Sequence, residues 1–326
     1  MHRNAATMLP PAGALAASPS AAAELFARAS ALLPTMAREA GGPGYRVFWL
    51  GDGALQWADV LGDGHGHLVV GRHSSADVEL RGDESIALRH LVLRAGAAAK
   101  GVPELQVLDL RANLPVFVDA SDEPQRSFVA EGPMLARVGT HAICALPVAT
   151  CAPPKVPTTE HEASAPASSP PARQDAERRR RVVREPQASY VASAAGSHTT
   201  SLRPAPPTTE IHELQPSAGP PWVHLVVRSP NGDVEHQLDR DALRGLVLVG
   251  RYARCQAGHA GLLLGDVSRV HVGLIAQGDA VEVIDLASTN GIWVDRSRVR
   301  RGLIEDRGEV ALGRRGCRIE VRVLTG

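Results

Sequence analysis

Apolar residues in this chain come in short runs separated by turn residues, with no sustained helical stripe over most of its length. Trp222-Val-His-Leu-Val-Val-Arg228 is followed by Ser-Pro-Asn-Gly-Asp and then by Val234 to Leu238, a strand, turn, strand signal. Further apolar runs stand at Leu246 to Val249, His271 to Ala276, Val281 to Leu286, Ile292 to Val294, Val310 to Leu312 and Cys317 to Leu324. The stretch from Gly44 to Thr150 is built the same way. Neither stretch holds a 3.6-residue period, so each predicts an antiparallel β-sandwich, and the fold class expected is all-β. The exception lies upstream, in the tail 1–43. There Ser20 can cap a helix from Ala21 to Ala40, with Leu25, Phe26, Ala29, Leu32 and Leu33 on one side and Pro34 disturbing its end. A solvated Ala-rich tail fits the same residues equally well.

Between the two β-rich stretches the pattern stops. Residues 151–221 hold 13 of the chain's 24 prolines among Ala, Ser, Thr and Arg, with Tyr190 as the sole aromatic residue. Such a segment buries too little apolar area to offset its ordering entropy, which predicts a disordered Pro/Ala/Ser/Thr-rich linker. The expected organisation is therefore a tail (1–43), a sandwich (44–150), a linker (151–221) and a second sandwich (222–326).

The two sandwich segments also match each other. Leu68-Val-Val-Gly-Arg72 pairs with Val247-Leu-Val-Gly-Arg251, Arg89-His90 with Val270-His271, and Leu108-Asp109-Leu110 with Ile284-Asp285-Leu286. Val118-Asp119 and Val138-Gly139 then pair with Val294-Asp295 and Leu312-Gly313. The order is kept while the offset drifts by a few residues, as loop insertions and deletions produce. One fold repeated in tandem is the consequence.

Composition narrows the function classes. Thirty-five Lys or Arg balance thirty-five Asp or Glu, which argues against nucleic-acid binding driven by phosphate attraction. No run of 18 apolar residues is present to span a membrane. Pro10, Pro11 and Pro19 interrupt what would be the apolar core of a secretory signal, and the four cysteines, 144, 151, 255 and 317, form no Cys-x-x-Cys pair. A reducing cytoplasm is the expected location, with neither a metal site nor a disulfide framework. No phosphate loop, no Gly-x-Ser-x-Gly elbow and no metal-ligand cluster offers a seat for catalysis, so no cofactor and no enzyme activity are expected.

The C-terminal landmarks carry chemistry in a fixed order: Gly250-Arg251, then Ser268-Arg269-Val270-His271, then Asp285-Leu-Ala-Ser-Thr289-Asn290-Gly291. A phosphate dianion offers three acceptor oxygens and suits a permanently charged planar fork flanked by hydroxyl and amide donors. Arg251 is such a fork, Ser268 and Thr289 bring hydroxyls, Arg269 adds a second cation, and Asn290 has both amide donor and acceptor. Each residue alone is ordinary turn chemistry. The ordered set resembles the forkhead-associated (FHA) domain family, whose members read phosphothreonine in peptides. The resemblance implies that Arg251 and Ser268 hold the phosphate, Thr289 and Arg269 assist, and Asn290 grips the peptide main chain. It further implies that His271 props the binding loops from within, and that Gly250 and Gly291 are turn positions closed to a side chain. Ile292 stands where the family often has Thr.

The N-terminal copy departs further. Arg72 is kept, but Ala87 and Leu88 stand opposite Ser268 and Arg269, and the turn from Asp109 to Leu114 is one residue shorter and lacks the Thr hydroxyl. One lost charge-assisted bond costs about 1.5–3 kcal/mol, so this copy is expected to be degenerate, with Arg72 and Asn113 as a weak second site. In the linker, Pro157-Thr158-Thr159-Glu160 and Pro207-Thr208-Thr209-Glu210 resemble each other. Once phosphorylated, these threonines are candidate ligands for the second sandwich in cis.

The function this implies is a non-enzymatic adaptor in bacterial Ser/Thr kinase signalling. Its partners would be phosphothreonine-containing proteins, whether a kinase or its substrates. The alternative is a structural subunit of a secretion or other multiprotein apparatus, using FHA-like domains for phosphate-independent docking.

Overall fold

The computed structural model describes residues 19–36, 42–62, 66–96, 103–119, 121–148, 181–182, 201–204, 219–252, 254–257, 262, 265–314 and 316–324. The one long helix among them, α1 (Pro19–Met36), ends soon after Pro34. The strands of the first sandwich are β1 (Gly44–Gly51), β2 (Ala54–Leu61), β3 (His67–Gly71), β4 (Val78–Glu79), β5 (Leu91–Gly96), β6 (Glu104–Asp109), β7 (Val116–Val118), β8 (Pro124–Gln125), β9 (Phe128–Glu131), β10 (Met134–Val138) and β11 (His141–Val148). Two short strands lie in the stretch expected to be linker, β12 (Arg181–Val182) and β13 (Ser201–Pro204). The second sandwich comprises β14 (Val223–Ser229), β15 (Gly232–Leu238), the short helix α2 (Arg240–Arg244), β16 (Val247–Val249), β17 (Val272–Gln277), β18 (Ala280–Asp285), β19 (Ile292–Val294), β20 (Ser297–Val299), β21 (Arg301–Ile304), β22 (Arg307–Leu312) and β23 (Arg318–Val323).

Strand order demonstrates the repeat. One sheet of the first sandwich runs β2-β1-β11-β10-β7-β8, and its counterpart in the second runs β15-β14-β23-β22-β19-β20. The opposing sheets run β9-β6-β5-β3 and β21-β18-β17-β16. Even the parallel pairing of β4 on β3 has its echo, a single parallel bridge from Val249 to Ala257. Turn chemistry follows the residues present. Asp52-Gly53 and Asp295-Arg296 each close a two-residue hairpin with both residues at positive φ.

Each sandwich has its own core between its sheets, Val47, Trp49, Leu93 and Phe128 in the first, Leu225, Val249, Val283 and Ile319 in the second. Helix α1 lays Leu25 and Ala29 on Phe48, Leu55, Cys144 and Leu146, covering the outer face of the β1-containing sheet. The apolar stripe of α1 thus has a partner face to pack on. The linker strands extend the first sandwich at its edges: Arg181 and Val182 pair with Trp57 and Gln56, and Ser201–Pro204 pairs with Glu131 to Phe128. The candidate phosphorylation sites Thr158, Thr159, Thr208 and Thr209 lie outside the described residues.

The two sandwiches pack face to face through the β3-containing sheet of the first and the β16-containing sheet of the second. Val69, Val92, Leu108 and Leu110 of the first meet Leu246, Leu248, Ile275, Ile284 and Leu286 of the second in one buried cluster. Equivalent positions face each other, as in a two-fold dimer interface, although the copies belong to one chain. The polar contacts repeat this symmetry: Ser75 Oγ donates to the carbonyl of Ala287 at 2.9 Å, and Arg254 Nη1 donates to the carbonyl of Arg111. Ala287 and Arg111 are equivalent residues, both at positive φ. Two ion pairs bridge the sandwiches, Arg94 with Glu282 at 2.8 Å and Arg300 with Asp77 at 2.5 Å.

Candidate phosphopeptide-binding loops

The loops joining β16 to β17 and β18 to β19 bring the sequence-predicted residues together. Gly250 has to be glycine, because a Cβ there would lie 2.3 Å from the Arg269 carbonyl oxygen. That close approach lets Arg251 N donate to Ser268 O at 3.3 Å and Tyr252 N to Arg269 O at 2.9 Å. Arg251 is exposed, and its side chain makes no hydrogen bond or ion pair within the described residues. Solvent keeps the guanidinium hydrated and available.

Ser268 is nearly buried, and its Oγ accepts the Thr289 amide at 3.1 Å. The hydroxyl proton is left for a ligand. His271 is fully buried and ties the loops together: Nδ1 accepts from Ser268 N at 2.9 Å and Nε2 faces Gly291 O at 3.1 Å. Because Nδ1 accepts, the tautomer has its proton on Nε2, which donates to Gly291. Burial holds its pKa below the ordinary histidine value, with Gly291 opposing that shift. His271 is thus placed as a prop within the loops.

The turn from Asp285 to Gly291 is closed by its own side chains. Asp285 accepts from Ser288 N at 2.9 Å and Ser288 Oγ from Gly291 N at 3.0 Å. Gly291 has φ +76°, and a Cβ there would meet the Arg298 guanidinium. Both amide protons of Asn290 are spent on Asp266, on its carbonyl at 2.8 Å and its carboxylate at 3.1 Å. Oδ1 is what Asn290 has left to offer a peptide N–H. Thr289 and Arg269 are exposed on the same loops. Asp266 was not singled out from the sequence, yet its other oxygen also accepts from Arg314 N at 2.7 Å, so it anchors three segments of the site.

The first sandwich repeats this frame with Ala87 in place of the Ser268 hydroxyl. Arg72 N bonds Ala87 O, His90 Nδ1 accepts from Ala87 N at 3.3 Å, and His90 Nε2 faces Leu114 O at 3.0 Å. Ala87 therefore occupies the Ser268 position and Leu114 the Gly291 position. The frame also shows a hydroxyl that the sequence reading missed. Asp83 accepts from Thr140 N at 2.8 Å as Asp266 does from Arg314, so this loop is two residues longer, and the extra pair includes Ser85. Ser85 Oγ bonds the Asp83 carboxylate. Arg72 gives its Nε to Ile86 O at 2.8 Å, and Asn113 is exposed.

Among the described residues no cluster of His, Cys, Asp or Glu is arranged to hold a metal ion, and no helix is long and apolar enough to cross a membrane. Cys144, Cys255 and Cys317 are buried free thiols.

Comparison with known proteins places this geometry. The family model "FHA domain" matches residues 247–313. Solved structures similar to the chain include FHA-1 of Rv1747 from Mycobacterium tuberculosis, at 23% identity over 32% of this chain and 99% of that one, with a TM-score of 0.26. The FHA domain of the CT664 protein from Chlamydia trachomatis matches at 24% identity, 32% and 99% coverage, and a TM-score of 0.27. A structure described in terms of phosphothreonine-dependent FHA domain interactions matches at 28% identity, with 32% and 99% coverage and a TM-score of 0.26. The same search among curated proteins gives no match. By its motif order, its loop frame and its family match, the C-terminal sandwich of this chain is an FHA domain.

Proposed function

We propose that the chain is a non-enzymatic adaptor that binds phosphothreonine peptides through its C-terminal sandwich, in bacterial Ser/Thr kinase signalling. The units are a helix-bearing tail (1–43), an N-terminal sandwich (44–150), a connecting segment (151–221) and the reader (222–326). Arg251 and Ser268 hold the phosphate, Thr289 and Arg269 flank it, and Asn290 Oδ1 accepts a peptide N–H. The observation that carries this reading is Arg251, an exposed arginine with no internal partner, laddered by its own backbone to Ser268. An arginine held at such a place contributes little to the core and much to an anion. The partner is a phosphorylated kinase or kinase substrate, and the setting a cytoplasmic one. Thr158, Thr159, Thr208 and Thr209 are proposed as phosphorylation sites whose modified forms compete for the same loops.

The N-terminal sandwich takes a supporting role in this reading. It donates Ser75 and Arg89 to the carbonyl of Ala287, at the base of the Thr289 turn. Arg251→Ala is expected to weaken binding of a phosphothreonine peptide by at least about tenfold, the value of one charge-assisted bond, while thermal stability stays within error. Titration calorimetry on the full chain measures the first and a melting curve the second. A folded variant with unchanged affinity removes Arg251 from the site.

A further inference from the structure

Where the loops of the two sandwiches meet, they enclose a cleft of about 190 Å³ that neither makes alone. Its walls carry Arg72, Ser85, Arg89 and Asn113 from the first sandwich and Arg254 and Arg269 from the second, with Glu84 as the single acidic lining residue. Four guanidinium groups against one carboxylate give the cleft a net positive field, concentrated by its low-dielectric walls. Nothing in the fold's hydrogen bonding uses all of that charge. Arg72 spends only Nε, on Ile86 O, and Arg89 spends Nε and one Nη on Ala287 O. Arg254 lies over the Tyr252 ring at 4.3 Å and donates through Nη1 to Arg111 O. Each guanidinium thus has donors left over.

We propose that this interdomain cleft is a second anion site, which takes a phosphorylated side chain of a peptide. The chemistry follows from size and donor type. Pockets for whole small molecules run to about 300–1,000 Å³, so this one fits a charged group and not a nucleotide or cofactor. Planar forks with spare N–H groups match the three oxygens of a phosphomonoester better than they match a single carboxylate. The arrangement also reinterprets the N-terminal copy. Ala87 and Leu88 removed its own hydroxyl and cation, and Arg254 and Arg269 restore positive charge from across the interface. Arg269 adjoins Ser268 in the C-terminal site as well, so one doubly phosphorylated peptide can engage both sites. The ligand class, a peptide, rests on the proposed function, whereas the cleft's anion affinity does not.

The test is amide NMR of the full chain titrated with N-acetyl phosphothreonine methylamide and, separately, with inorganic phosphate. The proposal expects shifts at Arg72, Asn113 and Arg254 that persist in Arg251→Ala and weaken at least tenfold in Arg72→Ala or Arg254→Ala. Arg72 is exposed, so its variant keeps the test open should the loss of Arg254 disturb the interface. Shifts confined to Arg251, Ser268 and Thr289 would overturn the cleft and leave the proposed function intact. Shifts confined to the cleft would do the reverse. Inorganic phosphate binding as tightly as the phosphothreonine derivative would make it a free-anion site and overturn the peptide assignment.

Discussion

Acidifying the full chain from pH 7 to pH 5 is expected to remove about 3–4 kcal/mol of stability, through His67 and His90. Burial pushes both imidazoles down to about 4, with Arg300 adding to the shift at His67 and the Leu114 carbonyl opposing it at His90. In the unfolded chain each titrates near 6.5. Between these values the unfolded chain binds the proton and the folded chain does not, so stability falls as pH falls through 6.5 and keeps falling toward 4. Each histidine contributes about 2 kcal/mol by pH 5. His67 is buried and feels charges from both sandwiches, Arg300 and Arg301 of the second lowering its pKa and Asp77 of the first opposing them. His90 is the prop of the N-terminal loops. Urea unfolding at the two pH values measures the loss, and His67→Gln and His90→Gln should each flatten the slope. A stability that is level between pH 7 and 5 contradicts the burial of these two rings.

Glu282→Ala is expected to cost about 3–5 kcal/mol, because it strands a buried charge between the packed sheets. Glu282 is 2% exposed, and Arg94, its partner at 2.8 Å, is 7% exposed. Arg94 would retain hydrogen bonds to Gln106 and Gln277 and lose its ion pair with Glu282. Glu282→Gln, which keeps a hydrogen-bond acceptor, should lose less. Because the pair spans both sandwiches, unfolding is expected to split into two transitions, and a simple two-state fit then fails. If Glu282→Ala unfolds in one transition at the wild-type midpoint, the sandwiches are not held together by this contact.

The sandwiches, their repeat and the order of the candidate binding residues were legible in the sequence because each is a local signal. Val223–Ser229 alternates with the turn that follows it, and Gly250, Arg251, Ser268, His271 and Asn290 fall at strand ends. The strands Ser297–Val299 and Arg301–Ile304 were not legible. They lie in an arginine-rich stretch, exposed along most of its length, where backbone pairing rather than apolar pattern makes the strand. Nor was the interface read, although a sign of it was printed in the chain. Leu68-Val69-Val70 and Val247-Leu248-Val249 are continuous apolar runs, buried on both faces, where a strand with one wet face would alternate. Val69 and Leu248 turn outward from their own cores and meet across the interface. Ser85 escaped because counting back from His90 sets Ala87 opposite Ser268. Only the shared roles of Asp83 and Asp266 reveal the two-residue insertion. Two pieces of the Pro-rich connection add edge strands to the first sandwich, which composition could not indicate.

The central claim is that the C-terminal loops read a phosphate on threonine, and one comparison addresses it most directly. The full chain is to be bound to a degenerate phosphothreonine peptide library and to its unphosphorylated twin at fixed ionic strength. The full chain is the proper sample, since a fragment 222–326 would expose Leu246, Leu248, Ile275 and Ile284 to water. Two or more charge-assisted bonds to one phosphate amount to at least about 3 kcal/mol, so the phosphorylated library should bind at least about a hundredfold more tightly. Equal retention of both libraries would contradict the account and leave the paired sandwiches as a phosphate-independent docking scaffold.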